Sequence, residues 1–182
     1  MAVHNIVVVG ANFGGTGAAH YFLRHTIPTL EAQNDKSTTY KVTLISPSTH
    51  FFWKIGAPRV IAKPDQIPIS KAFLPLEDAF KKYSPEKFTL VFGSATALDQ
   101  ERRTIAIEPT APATTTTVSY DSLIIATGTT STSALWTLHG SHEASIAEMK
   151  ELHRLLPKAS TILIAGGGPA GVETAGKSTG TR

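Results

Sequence analysis

The stretch HNIVVVGANFGGTGAA, residues 4–19, decides the reading of this chain. HNIVVVG (4–10) is a short β-branched run that closes on glycine, the pattern of a parallel strand buried on both faces. GGTGAAHYFLRH behind it can wind as a helix, with Ala18, Ala19, Phe22 and Leu23 on one side. The turn between them has dinucleotide spacing: Gly10 and Gly15 take the first and third glycine positions, and Asn12 takes the middle one. The first glycine permits the tight turn, and the third lets helix and strand pack closely. The helix N-terminus then offers free N–H groups to a phosphate. Asn is tolerable in the middle because it enters left-handed conformations more readily than most residues.

A second copy of the pattern, ILIAGGGPAGVETAG, occupies 162–176, with Gly166, Gly168 and Gly171 on the full G-x-G-x-x-G spacing. TILIA (161–165) is its expected buried strand. Between the copies, EAQNDKSTT (31–39) reads as loop and YKVTLIS (40–46) as a second buried strand. PSTHFFWKIGAPRVI (47–61) mixes aromatics with Gly and Pro and reads as an ordered loop, followed by a short amphipathic helix, LEDAFKKY (76–83). KFTLVFG, SATALD and RRTIAIE (87–108) read as successive short antiparallel strands, and PTAPATTTT (109–117) as a low-complexity turn. TVSYDSLIIATG is a strand running into Ala126, Thr127 and Gly128; residues 129–142 are loop. In HEASIAEMKELHRLL (142–156), Ile146, Met149, Leu152 and Leu156 recur at helical spacing. Strands alternating with helices, interrupted by a small antiparallel patch, predict an α/β fold.

With 41% apolar and 17% charged residues in 182, the chain has the composition of a globular protein with a sizeable core. Its charge of +3 is spread thinly, without the clustered basic face of a nucleic-acid binder, so no nucleic-acid partner is expected. The absence of cysteine excludes a disulfide framework, a thiolate metal site and a redox-active C-x-x-C pair. No stretch reaches the roughly 18 apolar residues of a membrane span. A strand-like run begins at Val3 and leaves no room for a leader, so a cytoplasmic protein is expected. His139 and His142 have H-x-x-H spacing with only Glu143 nearby, so no metal site is expected. Tyr83 and Lys87 match the Y-x-x-x-K pair of short-chain dehydrogenases, but Pro85 between them breaks the shared helix face. An acidic residue on the nucleotide ribose is expected where the second strand ends. Here Ser46 stands there, and one neutral hydrogen bond in place of charge-assisted ones weakens binding about tenfold.

With both turns, HFFWKIGAPRVI, GSATALD and YDSLIIATGT in view, the chain resembles the N-terminal half of the two-dinucleotide-fold flavoprotein reductases over residues 3–176. Within them it is most similar to the apoptosis-inducing-factor-like, AMID-type NAD(P)H:quinone oxidoreductases. The resemblance implies a Rossmann-like FAD-binding domain with a small antiparallel β insertion over 1–140. Over 141–182 it implies a connecting helix and the truncated start of an NAD(P)H-binding domain. Gly10, Asn12, Phe13, Gly14 and Gly15 then fall on the FAD turn, Ser46 at the ribose, Ala95 near the adenine, and Ala126, Thr127 and Gly128 near the flavin. Gly166, Gly168, Gly171 and Glu173 match the NAD(P)H turn.

Lys54 lies in the aromatic loop that the resemblance places beside the flavin and is the catalytic candidate, able to stabilise negative charge on the reduced ring; an exposed surface lysine is at least as good a reading. Arg59 is a candidate for the pyrophosphate, and His50, Phe51, Phe52 and Trp53 for a flavin wall; core packing explains these aromatics equally well. The implied function carries electrons from NAD(P)H through FAD to a quinone or similar acceptor. Without cysteine, the dithiol route of the related disulfide reductases is closed. The alternative is a non-catalytic FAD- or nucleotide-binding module. The remainder of the NAD(P)H domain and a return to the FAD domain are expected beyond Arg182, so the segment after Gly140 is expected to add apolar edge and little core.

Overall fold

A computed structural model describes residues 2–33, 38–110 and 114–178. Its elements are β1 (Ala2–Val9), α1 (Phe13–Tyr21), a π-helical turn (Phe22–Thr26), α2 (Ile27–Gln33), β2 (Thr38–Ser46), β3 (His50–Phe52) and α3 (Ala57–Ala62). Then follow β4 (Phe73–Pro75), α4 (Leu76–Phe80), β5 (Phe88–Asp99), β6 (Thr104–Pro109), β7 (Thr116–Ser119), β8 (Ser122–Ile125), α5 (His142–Leu155) and α6 (Pro169–Ser178). By their contacts they form two units, one of Met1–Phe51 with Pro75–Gly128, the other of Phe52–Leu74 with Thr129–Arg182. These units are not divided by a cut at residue 140.

In the first unit the apolar run of β1 is buried on both sides, as its sequence predicts. Ile6 and Val8 face a cluster with Ala19, Leu44, Leu76 and Phe80. Val7 and Val9, alternating with them, face Ile45, Ile105 and Ile107. β1 pairs in parallel with β2 (Val8 opposite Leu44) and with β8 (Val8 opposite Ile124). The sheet order is β7-β6-β5-β2-β1-β8.

KFTLVFG and SATALD, expected as separate strands, are one twelve-residue strand, β5. Its first half runs parallel to β2, and from Gly93 onward it pairs antiparallel with β6. A Cβ on Gly93 would lie 2.5 Å from the Ile107 side chain and 2.7 Å from the Glu108 carbonyl. The missing side chain lets β6 close in, so the strand changes partner without breaking. TVSYDSLIIATG instead divides at Tyr120 and Asp121, whose N–H groups donate to Arg103 O and Asn5 O, each at 2.9 Å.

Several expected loops carry regular structure. Glu31–Gln33 close α2, where Glu31 pairs with Lys87, and Thr38 and Thr39 open β2; the rest of EAQNDKSTT, 34–37, lies outside the described residues. Of PTAPATTTT, 111–113 lie outside them too, and Thr116 and Thr117 belong to β7. The stretch 47–61 holds β3, a 3₁₀ turn at Lys54–Gly56 and α3. Pro58 sits in the first turn of α3, where its missing N–H costs nothing.

The second unit packs around Phe52 and Phe73, whose rings stack at 4.9 Å, with Val60, Ile61 and Met149. α5 turns Ile146 and Leu152 toward this cluster, Leu156 just past its end joins them, Met149 is fully buried, and the His153 Nε2–H donates to Val60 O at 2.7 Å. The segment after Gly140 therefore contributes core, contrary to the expectation from sequence. TILIA, by contrast, has no regular secondary structure and forms no ladder among the described residues, and Leu163 is 92% exposed. An apolar run becomes a strand only when a neighbour takes its N–H and C=O groups. No helix among the described residues is long and apolar enough to cross a membrane.

In the first unit the His20 ring lies flat on Phe80 (4.2 Å, 6°), with Nδ1 3.0 Å from the Tyr83 hydroxyl. Arg24 Nε–H donates to that same oxygen at 3.1 Å, which leaves the Tyr83 proton for a neutral imidazole. Burial first, then the charges of Arg24 and Lys82, hold the His20 pKa below the ordinary histidine value. The unfolded chain takes up this proton at higher pH than the folded one, so the contribution is complete above about pH 6.5 and is lost as pH falls below it. His20→Phe keeps the stack and removes the proton. It is expected to flatten the pH dependence of urea unfolding between pH 7 and 5; an unchanged slope would assign that dependence elsewhere. Met149→Ala is expected to lower the unfolding free energy by about 2–5 kcal/mol, measured by the same titrations at neutral pH.

Candidate functional site

The first turn is clamped between two strand ends. Gly10 N–H donates to Ile45 O at the end of β2 (2.9 Å), and Ala126 N–H, just past β8, donates to Val9 O (2.8 Å). Gly10 has φ +102°, and a Cβ there would meet Ala126 O at 2.4 Å, so conformation and space both demand glycine. Gly15 has an ordinary helical backbone, but its Cβ would fall 1.6 Å from Gly10 O. Helix α1 thus lies directly on the turn's carbonyl.

Asn12 departs from expectation. Its φ of −103° and ψ of −154° are extended, so no left-handed conformation is needed at the middle position. Its carbonyl accepts the first helical N–H, from Thr16 (2.9 Å), and the Thr16 hydroxyl (2.7 Å). Its side chain does not cap α1, and no acidic residue stands in the first turn. The leading N–H groups of the helix, on Phe13, Gly14 and Gly15, are therefore left for an anion. Asn12 Oδ1 is buried without a hydrogen-bond partner. The open N–H groups at the helix start fit a nucleotide diphosphate. Phe13, at the first helical position, meets Phe51 edge-on with centroids 4.8 Å apart.

Ser46 ends β2 as expected, but it is 4% exposed and its hydroxyl donates to Ser48 O at 2.7 Å. Ala95, on β5, and Thr127 share an apolar hollow of about 250 Å³ with Val9, Leu98, Ile105 and Ile125. Gly128 follows with φ +72°, and nothing lies within 4 Å of the position a Cβ would take. The first turn, Ala95 and the Ala126–Gly128 strand end are thus held in one unit.

Lys54 and Arg59 belong to the second unit, Lys54 half-buried on the 3₁₀ turn and Arg59 exposed on α3. The expected aromatic wall diverges. Phe51 goes to Phe13, Phe52 into the core on Phe73, and Trp53 over Gly56, where a Cβ would lie 2.3 Å from its ring. His50 Nδ1 lies 2.8 Å from the Thr49 hydroxyl. Tyr83 and Lys87 are engaged separately, with His20 and Arg24 and with Glu31.

The second turn repeats the first. Gly166 has φ +114°, and a Cβ on Gly171 would fall 2.2 Å from Gly166 O and 3.6 Å from the Ile164 side chain. In the first turn the corresponding aliphatic contact is Val8, at 3.4 Å from the Gly15 position. Val172 N–H donates to Gly168 O (3.0 Å), as Thr16 N–H does to Asn12 O (2.9 Å). Glu173 is exposed on α6. Reading the glycines alone missed Val8 and Ile164, although each stands two positions before a first glycine.

The sequence matches the model of the pyridine nucleotide-disulphide oxidoreductase family over residues 4–180. Among curated proteins, oxidoreductase ptaL of Pestalotiopsis fici is 40% identical over 176 residues, 95% of this chain and 44% of that protein. Oxidoreductase phnG of Penicillium herquei is 34% identical over 175 residues, 95% of this chain and 40% of that protein. The chain thus spans less than half the length of these relatives. The fold is shared with the water-forming NADH oxidase from Lactobacillus brevis (TM-score 0.67, 19% identity, 97% of this chain and 38% of that one). It is shared also with the sulfide:quinone oxidoreductase of Aquifex aeolicus (TM-score 0.60, 21% identity, 85% and 32%).

Two glycines of α1 separate steric demand from helix propensity. Gly15→Ala drives a Cβ into backbone and is expected to lower the thermal midpoint by about 4–8 °C or more, on the order of 2 kcal/mol or above at roughly 2–4 °C per kcal/mol. At Gly17 nothing lies within 4 Å of the position a methyl group would take, and Gly17→Ala is expected to leave the midpoint unchanged or raise it by a few degrees. Equal midpoints for the two variants would show that helix and turn are not in the contact described.

Proposed function

Because the chain belongs to the pyridine nucleotide-disulphide oxidoreductase family, we propose that it is part of an NAD(P)H-dependent flavoprotein oxidoreductase of the apoptosis-inducing-factor-like, AMID type, with a quinone-like acceptor. The observation that carries the reading is the shared geometry of the two glycine turns, each a nucleotide-binding turn in form. In this reading 1–140 is the FAD-binding part and 141–182 the entry to an NAD(P)H-binding domain. A cytoplasmic location goes with it.

FAD, when bound, supplies the two-electron redox chemistry. The chain's own residues bind and orient. The uncapped N–H groups of Phe13, Gly14 and Gly15 meet the diphosphate, favoured by the positive end of the α1 dipole. The Phe13–Phe51 ring pair stands at the start of the same helix. Ala126 and Thr127, just past β8, back the turn, Gly128 follows them, and Ala95 lines one hollow with Thr127. Lys54 is the candidate for holding negative charge on the reduced ring, and Arg59 for the pyrophosphate. Gly166, Gly168, Gly171 and Glu173 form the corresponding NAD(P)H turn.

The test is a calorimetric titration of the 182-residue chain with FAD and with ADP. Micromolar or weaker binding is expected, and Gly15→Trp should abolish it; undiminished binding by that variant would refute the site. Anaerobic addition of NADH or NADPH to the FAD-loaded protein, followed by a soluble quinone, then reads reduction and reoxidation. In this reading the chain holds only the entry to the NAD(P)H-binding domain, so turnover is expected to be negligible, and robust FAD-dependent turnover would overturn that division of the chain.

A further inference from the structure

In a dinucleotide fold of this kind, the acid ending the second strand accepts hydrogen bonds from the ribose, and so makes the sugar part of the recognised ligand. In this chain the corresponding stretch is Ser46–Pro47–Ser48–Thr49–His50, which contains no carboxylate. Its serine hydroxyls are engaged by the chain itself. The Ser46 hydroxyl donates to Ser48 O (2.7 Å) and accepts from Ser48 N–H (3.2 Å). The Ser48 hydroxyl repeats the motif one step on, donating to His50 O (3.0 Å) and accepting from His50 N–H (3.1 Å). Thr110, arriving from the end of β6, donates its hydroxyl to Pro47 O (3.1 Å), and Pro47 has no N–H to offer. Ser46 and Ser48 are both buried. A hydroxyl turned toward a ribose would abandon a buried carbonyl, so the exchange gains nothing.

Resting on the nucleotide reading above, we infer that the first turn recognises a nucleoside diphosphate through its phosphates and does not read its ribose hydroxyls. The ligand class is therefore broader than the spacing of the motif suggests: ribose, deoxyribose and dideoxyribose diphosphates are accepted alike. Ser46 acts in this site as a turn-former, not as a ligand contact.

The test compares ADP with 2′,3′-dideoxy-ADP on the 182-residue chain by calorimetry. Dissociation constants within threefold of each other are expected, whereas a carboxylate reading the ribose through charged hydrogen bonds would separate them by about tenfold or more. Ser46→Ala is expected to lower the thermal midpoint while leaving ADP affinity within threefold, and Ser46→Thr, which keeps the hydroxyl, should restore the midpoint. If Ser46→Ala does not fold, the two ligands on the unaltered chain decide alone. ADP binding with a dideoxy deficit of threefold or more overturns the inference and leaves the nucleotide site standing. No ADP binding at all overturns both.

Discussion

The close approach of the α1 backbone to the carbonyl of Gly10 is the constraint on which the rest of the first unit depends. A side chain at position 15 would place a carbon 1.6 Å from that oxygen, and one at position 10 would place it 2.4 Å from Ala126 O. With both absent, strand, turn and helix share a space that two ordinary residues would fill. The helix then starts over the carboxyl end of β1, an inner strand of the sheet, with its leading N–H groups uncapped. A ligand that supplies negative charge there satisfies donors that the protein leaves open.

The same economy of side chains recurs where the sheet changes character. At Gly93 the absent Cβ lets β6 press against β5, so a single strand passes from parallel to antiparallel pairing. That passage carries Ala95 to the hollow it shares with Thr127. In the second unit Gly171 stands against Gly166 O as Gly15 stands against Gly10 O, and Ile164 takes the place of Val8. The repetition is physical as well as textual, because each turn solves the same problem of bringing a helix onto a strand end.

What distinguishes the site from its motif is the treatment of polar groups around it. Asn12 contributes an amide where the spacing calls for glycine, yet its backbone is extended and its oxygen is left without a partner. Ser46 contributes a hydroxyl where an acid is usual, and directs it into its own turn. One position thus holds a buried, unpartnered acceptor and the other withholds its donor. The balance of recognition moves toward the phosphates.

The sequence by itself determined the α/β class, β1 and β2, the amphipathic face of α5 and both glycine turns. These depend on local facts: β-branched runs, helical spacing, and the steric freedom of glycine at fixed intervals. Tertiary structure decided what local pattern leaves open. TILIA has the composition of a buried strand, but a strand exists only through the hydrogen bonds of a neighbour, and none pairs with it among the described residues. The Phe51–Phe52–Trp53 run gave no sign of its division, because alternate residues of an extended chain face opposite ways and each ring found a different partner. The role of Ser46 was likewise undecided in one dimension. A hydroxyl can bind a ligand or its own backbone, and only the path of residues 46–50 through space shows which carbonyl lies within reach.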